Sequence, residues 1–235
     1  MVEWNGDFSG GGCMENNDLY EQTVNARKAF WKKIGTVDPY VLSYFLNPAL
    51  IGSCGWSFVR QAFVKVETPN TVILASDGLS NPFDALDEPN QGFSLECFIE
   101  SDDPALRKSF ADLTEAWQLQ LLYNVVHHIA GHGGIKELLE RHGLLSMELS
   151  SIDVMEPFRD EEGRVGVLLG LDSIHIPPSI EGPASNIRLV SIKILTSREL
   201  QYVLRHGDAG RKKLARLFRE QGSDHLSTLN RNSVV

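Results

Sequence analysis

The stretch TVILASDGLSNPF, residues 71 to 83, is the part of this chain that decides its fold. The opening TVILAS is rich in β-branched and apolar residues, which favours a buried strand. The SDGLS that follows is a polar turn, in which Gly78 supplies positive φ and Asp77 can hydrogen-bond the backbone ahead of it. A catalytic role for Asp77 would need a partner acid or base, and none lies nearby in the sequence. The pattern therefore predicts a strand that ends in a structural turn.

A hairpin and three further strands are predicted around this stretch. Residues from Trp56 to Glu67 alternate weakly between apolar and polar, and Thr68-Pro69-Asn70 is a turn signal before TVILAS. Further strands are predicted for GFSLECFIES, RVGVLLGL and NIRLVSIKIL, the last from Asn186 to Leu195. Because VGVLLGL is an almost continuous apolar run, we expect it to be a central strand buried on both faces.

Helical spacing and helix signals occur in three places. Apolar residues recur every three or four positions between Asp18 and Lys33, and again from the helix start at Asp102-Asp103-Pro104 to Ile129. Thr196 and Glu199 form a capping box for a C-terminal helix that Gly207 interrupts. Strands and helices in this arrangement predict an α+β fold, with a mixed, largely antiparallel sheet flanked by helices.

Length and composition favour one domain. The chain has 235 residues, of which 42% are hydrophobic and 23% are charged, so it can bury one sizeable core. We expect residues 1–17, which are Gly-rich, to be a flexible leader and residues 18–222 to be the single domain. Residues 223–235 are polar, and we expect this C-terminal tail to fray.

Three of these stretches resemble the suppressor-of-fused-like domain family. In that family a strand ends in a Thr/Ser-x-Gly-Leu-Ser turn, to which Ser76-Asp77-Gly78-Leu79-Ser80 is similar. A later strand leads into a helix with a polar-x-x-Glu-Leu opening, to which Thr196-Ser197-Arg198-Glu199-Leu200 is similar. With GVLLGL at Gly166 to Leu171, the resemblance spans residues from about 36 to 206.

The resemblance implies a function as well as a fold. Domains of this family sequester other proteins, and bacterial single-domain members are often proposed as immunity proteins that neutralise polymorphic toxins. This chain shows one such domain and no second copy, so it resembles the bacterial form more than the two-lobed animal regulator. The resemblance therefore implies a non-enzymatic protein-binding module, with a toxin as its partner.

The net charge of −9 bears on the partner. An acidic surface repels phosphate backbones and attracts basic proteins, so we expect a basic protein partner, such as a toxin domain, and no nucleic acid. The exposed carboxylates predicted to contact it lie in two loops: Asp84, Asp87, Glu88, Asp160, Glu161 and Glu162. The first loop lacks the spacing of an EF-hand calcium site. A basic cluster between Arg205 and Arg219 is open to two interpretations, a solvated helix face or a phosphate-contacting helix.

An enzyme remains the alternative, as a metal-dependent or other hydrolase using His128 and His132. Two imidazoles four positions apart on a helix can chelate zinc, but Ile129 follows His128 where an HExxH motif has Glu. Capping or packing at a helix end is the interpretation that we favour for these histidines. The sequence contains no GxGxxG, Walker or GxSxG motif, so no catalytic, cofactor-binding or metal-binding residue is assigned and no cofactor is predicted.

The remaining features concern location. Cys13, Cys54 and Cys97 are widely spaced and odd in number, which predicts neither a disulfide framework nor a metal knuckle. No apolar run is long enough for a membrane span, and the N-terminus lacks the order of a signal peptide. We therefore expect a cytoplasmic protein.

Overall fold

The computed structural model describes residues 11–43, 62–83, 89–150 and 152–235. In these ranges nine strands form one sheet with the order β1-β3-β4-β5-β9-β7-β6, while β2 also pairs with β3 and β8 with β9. The strands are β1 (Thr36–Val37), β2 (Leu42–Ser43), β3 (Ala62–Glu67), β4 (Val72–Ser76), β5 (Leu95–Ser101), β6 (Leu145–Leu149), β7 (Val165–Leu169), β8 (Ser179–Ile180) and β9 (Ile187–Leu195). The helices are α1 (Gly11–Ile34), α2 (Trp117–His132), α3 (Ile135–His142) and α4 (Ser197–Glu220).

The sheet is mixed and largely antiparallel, which confirms the predicted α+β class. Strands β5 and β9 pair in parallel, whereas the other described pairs are antiparallel. The TVILAS stretch is β4, and it forms the predicted hairpin with β3, with Glu67 opposite Val72. Strand β7 is buried along its whole length, as its apolar run predicted.

Helices cover both faces of the sheet. Because successive side chains of a strand point to opposite faces, Leu74 packs in the cluster that contains α2, and Ile73 packs in the cluster that contains Trp31 of α1. On the same face as α1, Leu168 and Leu195 pack with Leu214 of α4. One sheet face is thus covered by α2 and α3, and the other by α1 and α4.

The predicted continuous helix after Asp103 is wrong. Asp103 does cap a helix, since its Oδ1 accepts the N–H of Ala105 at 2.9 Å, but this helix is a short 3₁₀ turn, Pro104–Arg107. The backbone is extended at Lys108, whose carbonyl accepts a hydrogen bond from Nζ of the buried Lys65. A second 3₁₀ turn, Phe110–Leu113, precedes α2. A partner from a distant strand therefore competes with helix propagation at this point.

Two terminal expectations also differ from the structure. Helix α1 begins at Gly11, inside the segment predicted to be a flexible leader, and residues 1–10 lie outside the described residues. The C-terminal tail is not frayed. Ser227 is fully buried, its N–H donates to the carbonyl of Glu100 at 2.8 Å, and its Oγ donates to the carbonyl of Ile192 at 2.9 Å. The tail is polar because polar side chains of β5 and β9 lie beneath it.

The C-terminal helix follows its sequence signals. Thr196 and Glu199 form the predicted capping box, and Gly207 interrupts α4 with φ 53° and ψ −130°. Within the described ranges, no helix combines the length and the apolarity that crossing a lipid bilayer requires.

Candidate functional site

Half of the predicted acidic surface can be located. Asp84, Asp87 and Glu88 lie outside the described residues. Asp160, Glu161 and Glu162 lie in the tight turn before β7, where the N–H of Gly163 donates to the carbonyl of Asp160 at 3.0 Å.

Arg164 organises the carboxylates of this turn. Its Nε lies 2.9 Å from Asp160 Oδ2, its Nη1 lies 2.8 Å from Glu148 Oε2, and its Nη2 contacts Glu162. Burial raises the pKa of Asp160, but hydrogen bonds from the N–H and the guanidinium of Arg164 outweigh this effect, so the net pKa is lowered. Asp160 is therefore a structural residue of the turn. Glu161 is exposed and forms no ion pair with any described residue, whereas Glu162 is exposed but paired.

The three histidines in the second half of α2 each contact a different backbone carbonyl. Nδ1 of His127 lies 2.9 Å from the carbonyl of Tyr123, and Nδ1 of His128 lies 2.8 Å from that of Asn124. Nδ1 of His132 lies 2.8 Å from the carbonyl of Gly133. In the described part of the chain, no group of three or more His, Cys, Asp or Glu could hold a metal ion.

The SDGLS turn is held by a buried arginine from α1. Nε of Arg27 donates to Asp77 Oδ1 at 2.7 Å, and its two terminal nitrogens donate to Ser80 Oγ and Asn81 Oδ1, each at 2.8 Å. Arg27 is fully buried and Asp77 is 3% exposed. The Asp77 carboxylate is an anchor for α1, which agrees with a structural role.

A second carboxylate, Glu96 of β5, binds the backbone of the same turn. Its Oε1 accepts the N–H groups of Gly78 and Ser80, both at 3.0 Å, and the hydroxyl of Ser80 at 2.7 Å. The predicted positive φ at Gly78 is wrong, because this residue is not among those with positive φ in the described ranges. The N–H groups of the turn converge on the Glu96 carboxylate and form an anion-binding turn, and this arrangement does not use positive φ at Gly78.

Sequence reasoning missed a site beneath the C-terminal tail. Glu100 and His225, each 7% exposed, form a buried pair in which His225 Nε2 lies 2.6 Å from Glu100 Oε2. Thr71 donates its hydroxyl to the other oxygen of Glu100. Burial raises the pKa of Glu100, but the hydrogen bonds from His225 and Thr71 lower it by more than burial raises it. The net pKa is therefore lowered, and the carboxylate is ionised.

A cavity of about 500 Å³ opens over this pair. We call it the tail cavity. It is bounded by the end of α1, the β3–β4 turn, residues 174–176 and residues 222–226 of the tail. A signal for it exists in the sequence, because Glu100 and Lys193 are charged at inward-facing positions of strands, but the sequence does not show that residues of the tail cover them.

Two basic side chains, Lys193 and Arg231, hold the tail on either side of Ser227. Lys193 Nζ donates to the carbonyls of Ser223 at 3.1 Å and Leu226 at 2.7 Å. Arg231 donates to both carboxylate oxygens of Glu199, each at 2.6 Å, and to the carbonyl of Ile194 at 2.8 Å. The capping-box glutamate of α4 is therefore also the anchor of the tail.

Comparisons with known proteins identify the fold. No family model matches the chain, and no curated protein matches its sequence. A chain of the Sufu–Fu complex crystal structure is similar, with 14% sequence identity and a TM-score of 0.54 over 92% of each chain. The crystal structure of Drosophila Suppressor of Fused is similar at 12% identity and a TM-score of 0.44, over 92% of this chain and 51% of that one. The fold of this protein is thus suppressor-of-fused-like.

Proposed function

We propose that the protein is a non-enzymatic protein-binding module. The observation that carries this proposal is the fold, which is similar over almost its whole length to a chain from a complex between two proteins, Sufu and Fu. The buried ionic groups agree with it, since Asp77 and Glu96 are consumed in holding α1 and the SDGLS turn. These carboxylates serve the scaffold and leave recognition to the surface.

The partner we propose is a basic toxin domain that the protein neutralises by direct binding in the cytoplasm, as an immunity protein does. The net charge of −9 supports a basic partner, because complementary charge steers association. The resemblance of the SDGLS turn and the TSREL helix start to suppressor-of-fused-like domains supports the choice of a toxin.

Within the proposed acidic surface, Glu161 carries the most weight among the described residues. Asp160 is enclosed by Arg164, and Glu162 shares that guanidinium. Glu161 is exposed with no described cation beside it. Asp84, Asp87 and Glu88 remain part of the proposed surface on the basis of the sequence.

The test is a pull-down from the native host, followed by binding kinetics with the captured partner. Glu161→Lys combined with Glu162→Lys should slow association several-fold at low salt and change dissociation less, because long-range charge acts on the encounter. The control is Glu181→Lys, which makes the same kind of change at an exposed carboxylate outside the two loops. An affinity that depends neither on salt nor on the two charge reversals would contradict the proposed role of the acidic surface. The absence of any stoichiometric protein partner would overturn the proposed binding function.

Metal analysis tests the hydrolase alternative directly. We expect purified protein and the His128→Ala/His132→Ala variant to contain the same background level of zinc, because no third His, Cys, Asp or Glu of the described residues joins these two rings in a group that could hold a metal ion. Stoichiometric zinc in the unmodified protein that disappears in the variant would contradict the non-enzymatic assignment.

A further inference from the structure

The tail cavity combines buried acceptors with an apolar wall. Its base is the Glu100–His225 pair, and its wall includes Ile73 and Ile176, which are 0% and 4% exposed. At the rim lies Ile174, which is 77% exposed and is the most exposed of the large apolar residues in the described ranges. A cavity of this size with apolar walls and a few convergent polar groups has the character of a binding site.

The acceptors at the base are only partly used. A carboxylate has about four lone-pair positions, and Glu100 accepts one hydrogen bond from Thr71 and one from His225. His225 directs Nε2 at the carboxylate and donates the Nε2 proton to it, which leaves Nδ1 on the other side of the ring. This buried Nδ1 has no hydrogen-bond partner among the described residues, and such an atom calls for an explanation.

The charged groups around the cavity favour a cationic occupant at its base. Two carboxylates line it, Glu100 and the half-buried Asp224. The opposing groups that line the cavity are Lys33 and His175, which are exposed at the rim, whereas Lys193 lies behind the wall, where its Nζ donates to the carbonyls of Ser223 and Leu226. Among the groups that line the cavity, negative charge therefore lies at the base and wall, while the positive charge lies at the exposed rim, where its repulsion of a cation is screened.

We propose that the tail cavity binds an arginine side chain of the protein partner. A guanidinium has five N–H donors in a planar fork and is weakly hydrated, so it can bridge the carboxylates of Glu100 and Asp224. Its aliphatic stem packs against Ile174 and Ile176. A lysine ammonium is more strongly hydrated and offers donors at a single point, which suits acceptors on different walls less well. The identity of the ligand as part of a protein rests on the proposed function.

The first arm of the test uses N-acetyl-arginine amide as the probe, with N-acetyl-citrulline amide as an uncharged control of the same shape. Titration into ¹⁵N-labelled protein should produce saturable shifts of the Gly222 and Asp224 amides and of the His225 ring for the arginine probe. Asp224→Asn should weaken binding several-fold, and Asn tolerates the positive φ of 31° at this position. Glu181→Gln, a carboxylate outside the cavity, should leave the affinity unchanged.

The Lys33→Met variant tests whether the tail cavity prefers a cationic or an anionic ligand. Removing the rim cation should tighten binding of the arginine probe, whereas it would weaken binding of an anion. Equal affinity for the citrulline control, tighter binding of N-acetyl-glutamate amide, or no shift at the tail cavity would each overturn the proposal.

The second arm uses the captured partner and separates this proposal from the proposed function. Ile174→Ser and Asp224→Asn should each accelerate dissociation of the complex several-fold, since anchor contacts act on the bound state. A stable complex that dissociates at the same rate in both variants as in the unmodified protein would contradict the arginine-binding role of the tail cavity and leave the binding function in place. Saturable binding of the arginine probe without any protein partner would keep the site and remove the partner.

Discussion

At the scale of single residues, this protein buries charge where several partners meet it. Arg27 is fully buried, yet each nitrogen of its guanidinium has an oxygen partner, on the SDGLS turn or on Asn81 directly after it. Such an arrangement is costly to break, because removing one partner leaves the others buried and unpaired. Arg27 therefore connects α1 to the sheet by a contact that apolar packing does not supply.

Replacing Arg27 with Met should destabilise the fold. We expect a loss of about 3–5 kcal/mol in the free energy of unfolding, because Asp77 and Glu96 lose their buried countercharge. Urea denaturation measures the change, and Lys28→Met at an exposed position of the same helix is the control, with an expected effect within ~0.5 kcal/mol. If the two variants unfold alike, Arg27 does not hold the turn.

At the scale of elements, the tail and the start of α4 form one unit. Glu199 accepts the N–H groups of Thr196 at 2.8 Å and Val234 at 3.0 Å in addition to the guanidinium of Arg231. Arg231 also lies over the ring of Phe218, 5.0 Å from its centroid. The same carboxylate thus caps the helix and binds the tail, so the two elements should lose stability together.

Removing residues 231–235 tests this coupling. We expect a loss of about 3–5 kcal/mol, because Glu199 remains buried without its cation. Thr196→Ala, which removes the cap and one hydrogen bond to Ser233 Oγ of the tail but leaves the Arg231–Glu199 pair in place, should cost less, about 1–2 kcal/mol. Thermal or urea unfolding measures both, and Arg198→Met, at an exposed position in the first turn of α4, is the control. A truncated protein that unfolds like the full chain would show that the tail frays after all.

At the scale of the whole molecule, stability should depend on pH through the groups beneath the tail. Burial, followed by repulsion from Arg231, lowers the pKa of Lys193 from 10.5 to about 7. Between these values the unfolded chain binds more protons at this residue than the folded protein does, so the free energy of unfolding rises with pH. Glu100 acts at acidic pH, because its lowered pKa contributes stability that is lost as pH falls through the folded value.

The third prediction concerns how the free energy of unfolding changes from neutral to alkaline pH. From pH 7 to pH 8.5 the free energy of unfolding should rise by up to ~1.4 kcal/mol per pH unit more in the unmodified protein than in Lys193→Met. This range lies below the ordinary pKa of 9.0 of a thiol, so the buried Cys97, whose pKa burial raises, does not contribute the opposite trend. Urea midpoints across the range measure the difference between the two proteins. Parallel pH profiles would mean that Lys193 stays protonated in the folded state.

The local patterns in the sequence determined the elements whose causes are local. The alternation in NIRLVSIKIL, the apolar run of VGVLLGL, the capping box at Thr196 and the helix break at Gly207 are each properties of neighbouring residues, and the structure contains all four. The α+β class follows from their order along the chain. The SDGLS turn was recognised as a structural device for the same reason.

The tertiary structure decided the features whose partners lie far apart in the chain. Arg27 and Asp77 are separated by 50 positions, and Glu100 and His225 by 125, so no local pattern relates them. The same holds for Lys65, which binds the carbonyl at which the helix predicted after Asp103 is interrupted, and for Glu96, which binds the N–H of Gly78. It also holds for the tail, which was expected to fray because it is polar. A polar segment frays only where its polar groups find no partner. The charged residues of β5 and β9 that bind the C-terminal tail come close to it only when the sheet has formed.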